Sequence, residues 1–304
     1  MRMRCTTIRF LLLWCCWWGS AVFTEAVIGS PNEQESGSQA WARLLVEAER
    51  EHLPTKFLRV LPPDFIRFEF DDLRTYAAEY HPGEHRMILN RTLSLNAAGR
   101  VLKPLGRMTR KELEVLYHEL FHAYMDYLTV KGIQLGETEY RSEALMRFAK
   151  EQQVCRYGEV MITPIVQRTN EMESRYLTEA ESWEVLNETW AVFVGWVVWN
   201  QLELQQQTGR SMVLRRRDTQ QWVERFKRAF ERGEFRGYYV PEDPDERRLA
   251  QKRYLAKASQ LSLEEALVLM EQVFGFSNDF VKMIDASFGP TWRSTCLDGK
   301  MRVN

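Results

Sequence analysis

The sequence predicts an α+β domain, with a small N-terminal sheet followed by a long capped helix and a mostly helical C-terminal half. Three observations predict it. Residues 65–70 (FIRFEF) alternate apolar and charged side chains, the period of a half-buried strand. Residues 109–128 and 178–207 each open on a Thr-x-x-Glu capping signature and carry apolar residues at helical spacing. The remainder is amphipathic and charged, with helix signals and no internal repeat.

Taken in order, residues 41–51 read as a helix. In the strand at 65–70, Ile66, Phe68 and Phe70 share one face, and Arg67 and Glu69 the other. Tyr80-His81-Pro82-Gly83-Glu84-His85 reads as a turn, and residues 86–95 as a second strand. The helix 109–128 is capped by Thr109 and Glu112, repeats Leu113, Leu116, Leu120, Tyr124 and Leu128, and meets a stop at Gly132. The helix 178–207 is capped by Thr178 and Glu181, with Gly209 as its stop. Its stretch 190–199 (WAVFVGWVVW) is wholly apolar. It is too short for a membrane span of roughly 20 residues, so it is expected in the domain centre. Residues 222–230 form a further helix, residues 237–244 a loop, and Ser262 with Glu265 caps a helix reaching Phe274.

The chain has 304 residues, 45% hydrophobic, enough to build a substantial core. Its formal net charge of −1 excludes a dedicated nucleic-acid binder, which needs a cationic excess. Arg2, Arg4 and Arg9 precede an apolar stretch at 10–23, and small residues follow. That is the order of a secretory signal peptide. The expected organisation is therefore a signal over 1–26, a flexible tether over 27–40 and one folded domain over 41–304. The mature protein is expected to be secreted or extracytoplasmic, in the periplasm or cell envelope if bacterial. Membrane contact is expected only if the N-terminal segment stays uncleaved. Cys155 and Cys296 then remain, and the sequence leaves open whether they pair.

His118-Glu119-Leu120-Phe121-His122 carries the chemistry. Four residues advance a helix by about 400°, so the two histidines lie on one face a turn apart and can share a metal ion. Glu119 is offset toward a water on that metal. Zinc lowers the pKa of such a water to about 7, and a nearby carboxylate can accept its proton. Only five histidines occur in the chain, and two in this frame are hard to assign to packing.

With its flanks, the motif reads VLYHELFHAY. It resembles the zincin metallopeptidases, whose extended signature favours Val or Thr three residues before the first His and uncharged residues between and after the pair. The resemblance implies a zincin-like fold, one zinc per chain, Glu119 as general base and a peptide or protein substrate. It also implies a strand shelf above the cleft, where an extended peptide could add; the strand at 86–95 is the candidate.

A catalytic zinc takes three protein ligands. No histidine follows His122, so the zincin branch with a third His is excluded. The gluzincin branch uses a Glu on a second helix. Glu181, Glu184 and Glu188 share one stripe there. Glu188 is the preferred ligand, because Asn187-Glu188-Thr189-Trp190-Ala191 is similar to the NExxA segments of gluzincins. Ala191 and Gly195 continue the stripe and permit close helix approach. The chain departs from the pattern in two ways. Sixty-five residues separate His122 from Glu188, more than in thermolysin-like peptidases. Val192 also stands where ExxAD-type relatives carry an Asp. Glu184 or Asp126 could then orient a ligand histidine.

His81 and His85 lie in the Pro-Gly turn and are read as surface residues. Tyr124, Tyr176, Tyr238 and Tyr239 are all candidates for the hydrogen-bond donor to a developing oxyanion. Asn90-Arg91-Thr92 and Asn187-Glu188-Thr189 match the N-glycosylation pattern. The expected function is zinc-dependent amide hydrolysis; the alternative is a catalytically silent zincin-fold protein that binds zinc or a partner in the envelope.

Overall fold

Capping and burial set the two central helices. The structure, a computed structural model, describes residues 37–74, 78–96, 101–134, 140–166, 171–208 and 216–288. In chain order these form α1 (Gly37–Arg50), β1 (Arg67–Asp71), β2 (Ala78–His81), β3 (Arg86–Asn90), α2 (Arg110–Gln134) and α3 (Tyr140–Arg156). They continue with β4 (Glu159–Ile162), β5 (Glu173–Tyr176), α4 (Glu179–Thr208), α5 (Arg216–Arg232), β6 (Tyr238–Tyr239) and α6 (Pro244–Leu249). The last elements are β7 (Arg253–Tyr254), α7 (Leu263–Leu269) and α8 (Asn278–Ser287), with a π-helical turn, Met270–Phe274, between the final two helices. The described chain is thus a mostly helical α+β domain with small sheets.

The capping boxes form as the sequence predicts. Glu112 N–H donates to Thr109 Oγ1 at 3.2 Å while Thr109 N–H donates to Glu112 Oε2 at 2.6 Å. Thr178 and Glu181 repeat this at α4, at 3.0 and 3.1 Å. Ser262 and Glu265 do so at α7. Each reciprocal pair satisfies two amides that a helix start leaves orphaned.

α2 and α4 pack against each other through the centre. Leu116, Tyr117, Leu120 and Phe121 of α2 are fully buried, as are Trp190, Phe193, Val194 and Val197 of α4. Each such side chain contributes about 1.5–3 kcal/mol of transfer free energy. The apolar stretch 190–199 therefore lies in the core, as expected, and no helix among the described residues is long and apolar enough to cross a membrane. Gly195 sets the approach: a Cβ there would lie 3.1 Å from the Glu114 carbonyl oxygen of α2.

Several sequence expectations need correction. α2 continues past Gly132 to Gln134, because one glycine costs only about 1 kcal/mol within a helix held by tertiary packing. Residues 37–40, assigned to the tether, open α1, where Ala40 is already buried. The signal segment and the rest of the tether lie outside the described residues. The turn at 80–85 contains the end of a strand: β2 runs to His81, and only then does a 3-10 turn, Pro82–Glu84, reverse the chain. The loop at 237–244 contains β6. α3 and the β4–β5 hairpin had no clear sequence period, and α3 carries polar residues, Gln152 and Gln153, into the interior.

The strand at 86–95 is also shorter than expected and differently placed. β3 ends at Asn90 and is the middle strand of the order β1-β3-β2, parallel to β1 and antiparallel to β2. Both its edges are paired, so it has no free edge to receive a substrate. The edge nearest α2 belongs to β2. Asn90 is not a free sequon amide either: its Oδ1 accepts from Thr92 N–H at 3.0 Å and its side chain donates to Leu73 O. Cys155 is disulfide-bonded; Cys296, the partner considered from sequence, lies outside the described residues.

Candidate metal centre

α2 supplies His118 and His122 from one face, and α4 supplies Glu188 from across the helix pair. His118 Nε2 and His122 Nε2 are 3.0 Å apart. Glu188 Oε2 lies 3.4 Å from His118 Nε2, and Glu188 Oε1 lies 3.3 Å from His122 Nε2. Zinc–nitrogen and zinc–oxygen bonds of about 2.0–2.1 Å in a tetrahedron put neighbouring donors about 3.3 Å apart. The three separations match that edge length, so the trio could hold a metal ion. Two facing imidazole nitrogens cannot both point a hydrogen into the gap. Glu188 Oε2 is buried and makes no hydrogen bond of good geometry. A cation between these donors would satisfy all three.

The charges agree. Burial disfavours an imidazolium at His122, but the Glu188 carboxylate outweighs it and pushes the histidine up to about 9. Glu188, despite its own burial, is held well below the usual carboxylate range by the two histidines. Any metal binding here displaces a proton from a pair that holds it tightly.

Glu119 is not part of the trio. It is almost buried, and that burial raises its pKa, with His118 and His122 opposing and Glu188 adding to the rise. Tyr80 of β2 donates its backbone N–H to Glu119 Oε2 at 2.9 Å. The edge strand thus orients the carboxylate, a contact with no signature in the motif.

The acidic stripe on α4 divides its labour. Glu188 alone faces the histidines. Glu184 Oε2 accepts from Val240 N–H at 2.9 Å, and Glu181 Oε1 from Glu242 N–H at 2.9 Å. Gly237 N–H donates to Thr189 Oγ1 at 3.1 Å. Gly237 is needed for space: a Cβ would fall 2.6 Å from Thr189 N and Oγ1 and 3.0 Å from Glu188 Cβ. These three bonds fasten residues 237–242 along α4 and bring Tyr238 to the centre. The Tyr238 hydroxyl lies beside Glu188, and its pKa is raised first by burial and then by that carboxylate, so it stays protonated.

Of the four tyrosines named from sequence, only Tyr238 is placed at the trio. Tyr124 packs among Phe57 and Phe121, Tyr176 is 76% exposed, and Tyr239 is buried near Glu246, Arg175 and Arg253. Neither candidate for orienting a ligand histidine does so. Glu184 holds Val240, and Asp126 Oδ2 accepts from Tyr80 OH at 2.6 Å and contacts His85 Nδ1 at 2.8 Å. Asn187 lies beside His122 instead. His85 is therefore tied to Asp126 and packed at a tilt against the Phe65 ring, and His81 lies near Glu79. Sequence reasoning missed Tyr80, Thr189 and Gly237, because each acts through a backbone contact between distant segments.

Compared with family models, curated proteins and solved structures, the chain matches none.

Proposed function

We propose that this chain is a zinc-dependent hydrolase of amide bonds, acting on peptides. The reading rests on one observation above the others: His118, His122 and Glu188 stand at the spacing of a tetrahedral metal's ligands, with a separate carboxylate, Glu119, beside them. Three protein donors leave a fourth position for water or substrate, the pattern of a catalytic rather than a structural site. A zinc ion held there would lower the pKa of a water to about 7 and polarise the scissile carbonyl.

The chain's own residues supply the rest. Glu119, held by Tyr80 N–H, takes the proton of the attacking water and returns it to the leaving amine. The protonated Tyr238 hydroxyl is the donor for the carbonyl oxygen as it gains charge. The outer edge of β2 accepts an extended peptide as a further strand. A zincin-like arrangement, in which a sheet edge overlies the metal helix, accounts for all three roles. Secretion accords with the leader-like N-terminus.

The test is metal content of the mature protein alongside His122→Ala and Glu188→Ala. About one zinc per chain, lost in both variants, is expected. Tyr238→Phe should keep its zinc and lose about 10²–10³-fold in kcat on a peptide substrate. Absence of zinc after refolding with the metal would sink the proposal.

A further inference from the structure

Asp126 stands one turn beyond His122, on the stripe of α2 that carries His118. It meets the turn between β2 and β3. One carboxylate oxygen, Oδ2, accepts from Tyr80 OH at 2.6 Å and contacts His85 Nδ1 at 2.8 Å. Tyr80 lies near the end of β2, and His85 immediately precedes β3. A single oxygen on α2 therefore gathers both ends of the connection between the two strands.

Tyr80 touches α2 a second time, where its backbone N–H donates to Glu119 Oε2 at 2.9 Å. Glu119 and Asp126 lie about two helical turns apart. One residue of the edge strand is thus pinned at both, by its amide at one and its hydroxyl at the other. Tyr80 is buried, and burial first, then the bond to Asp126, raises the pKa of its hydroxyl, so it stays a donor. The backbone of His85 is also held in an unusual state. Its φ of +48° is left-handed, which costs a residue with a side chain about 1–2 kcal/mol. Glycine would take that conformation freely. The imidazole offsets the cost through Asp126 and through the Phe65 ring, whose centroid is 4.3 Å away.

We infer that Asp126 is a positioning residue for Glu119, acting through Tyr80, with His85 holding the Asp126 carboxylate in place. The inference rests on the hydrolase reading for its effect on turnover, but the clamp is read without turnover. A catalytic group displaced by about 1 Å can lose about 10²-fold in rate, so the anchor of the strand that orients Glu119 bears on kcat. Amide hydrogen exchange in the protein as purified reads the clamp directly. Tyr80→Phe removes only the hydroxyl, and Asp126→Ala removes its acceptor. Each should speed exchange at residue 80 about tenfold, the scale of one lost hydrogen bond, while the amides that pair β1 with β3 keep their rates. Asp126→Asn retains an acceptor oxygen and should recover part of the protection. His85→Gly relieves the backbone, yet should still speed exchange at residue 80.

In zinc-loaded protein, Tyr80→Phe and Asp126→Ala should each lower kcat on a peptide about 10–10²-fold, with KM within about twofold and zinc content unchanged. The double variant should lose no more than the worse single one, because both cut the same chain of contacts. Glu84→Gln, an exposed change in the same turn, should match the parent in every readout. Unchanged exchange at residue 80 in both Tyr80→Phe and Asp126→Ala would overturn the inference. So would equal speeding across β1, β2 and β3, the mark of a merely structural role, or faster exchange with kcat unchanged. Selective exchange at residue 80 in a protein that takes up no zinc and hydrolyses no peptide would overturn only the hydrolase reading and leave the clamp standing.

Discussion

Gly237→Ala tests how the metal centre is assembled. The new methyl would sit 2.6 Å from Thr189 N and Oγ1 and 3.0 Å from Glu188 Cβ. Thr189 N belongs to the backbone of a buried helix and cannot move aside, so residues 237–242 must lift. Overpacking of this kind costs about 1–3 kcal/mol. Losing the 3.1 Å bond from Gly237 N–H to Thr189 Oγ1 adds about 1 kcal/mol. A total of about 2–4 kcal/mol lowers Tm by roughly 5–12 °C in a domain of this size. Lifting the segment also withdraws Tyr238 from Glu188, so the zinc-loaded protein should lose turnover disproportionately to its stability at 25 °C. Thermal melts with and without zinc, plus kcat on a peptide substrate, read both effects. A variant that melts within 1 °C of the parent (about the scatter of such melts) would refute the close packing of this segment on α4.

Three further outcomes follow from the same contacts. Glu184→Ala should keep about one zinc per chain by metal analysis, because its carboxylate holds Val240 N–H and not the metal, while Glu188→Ala loses it. Glu265→Leu should cost about 3–5 kcal/mol in urea unfolding, since the buried carboxylate accepts from Tyr157 OH and Trp190 Nε1, both at 2.9 Å, and all these partners would be stranded. At the start of α2, Thr109 N–H and Lys103 hold Glu112 below its ordinary pKa despite partial burial. Its contribution is present above the unfolded value near 4.5 and is lost as pH falls through the depressed folded value. Urea midpoints of the parent and Glu112→Gln should therefore converge on acidification from pH 6 to pH 3; a gap that widens would refute the assignment.

The helical half of the site was legible because its signals are local. Capping boxes at Thr109 and Thr178 fall within four residues, and the spacing of His118 and His122 is set by one helical turn. The stripe of Glu181, Glu184 and Glu188 was equally visible, yet its periodicity placed all three on one face without saying what each would meet. The sheet was partly misread for the opposite reason. Strand alternation at 65–70 marks a strand but carries no information on its neighbours, so the middle position of β3 and the edge position of β2 could not be read from it.

By itself, then, the sequence determined the helix that carries His118 and His122 as candidate metal ligands, the candidacy of Glu188 and the apolar centre of α4, all consequences of spacing along one helix. Tertiary structure alone decided that Glu188 rather than Glu184 faces the histidines, that Tyr80 orients Glu119, and that Tyr238 is carried to the centre by Gly237 and Thr189. Those choices depend on which backbones meet across 39 to 70 residues of chain, and chain-distant contacts are set by the packing of the whole core.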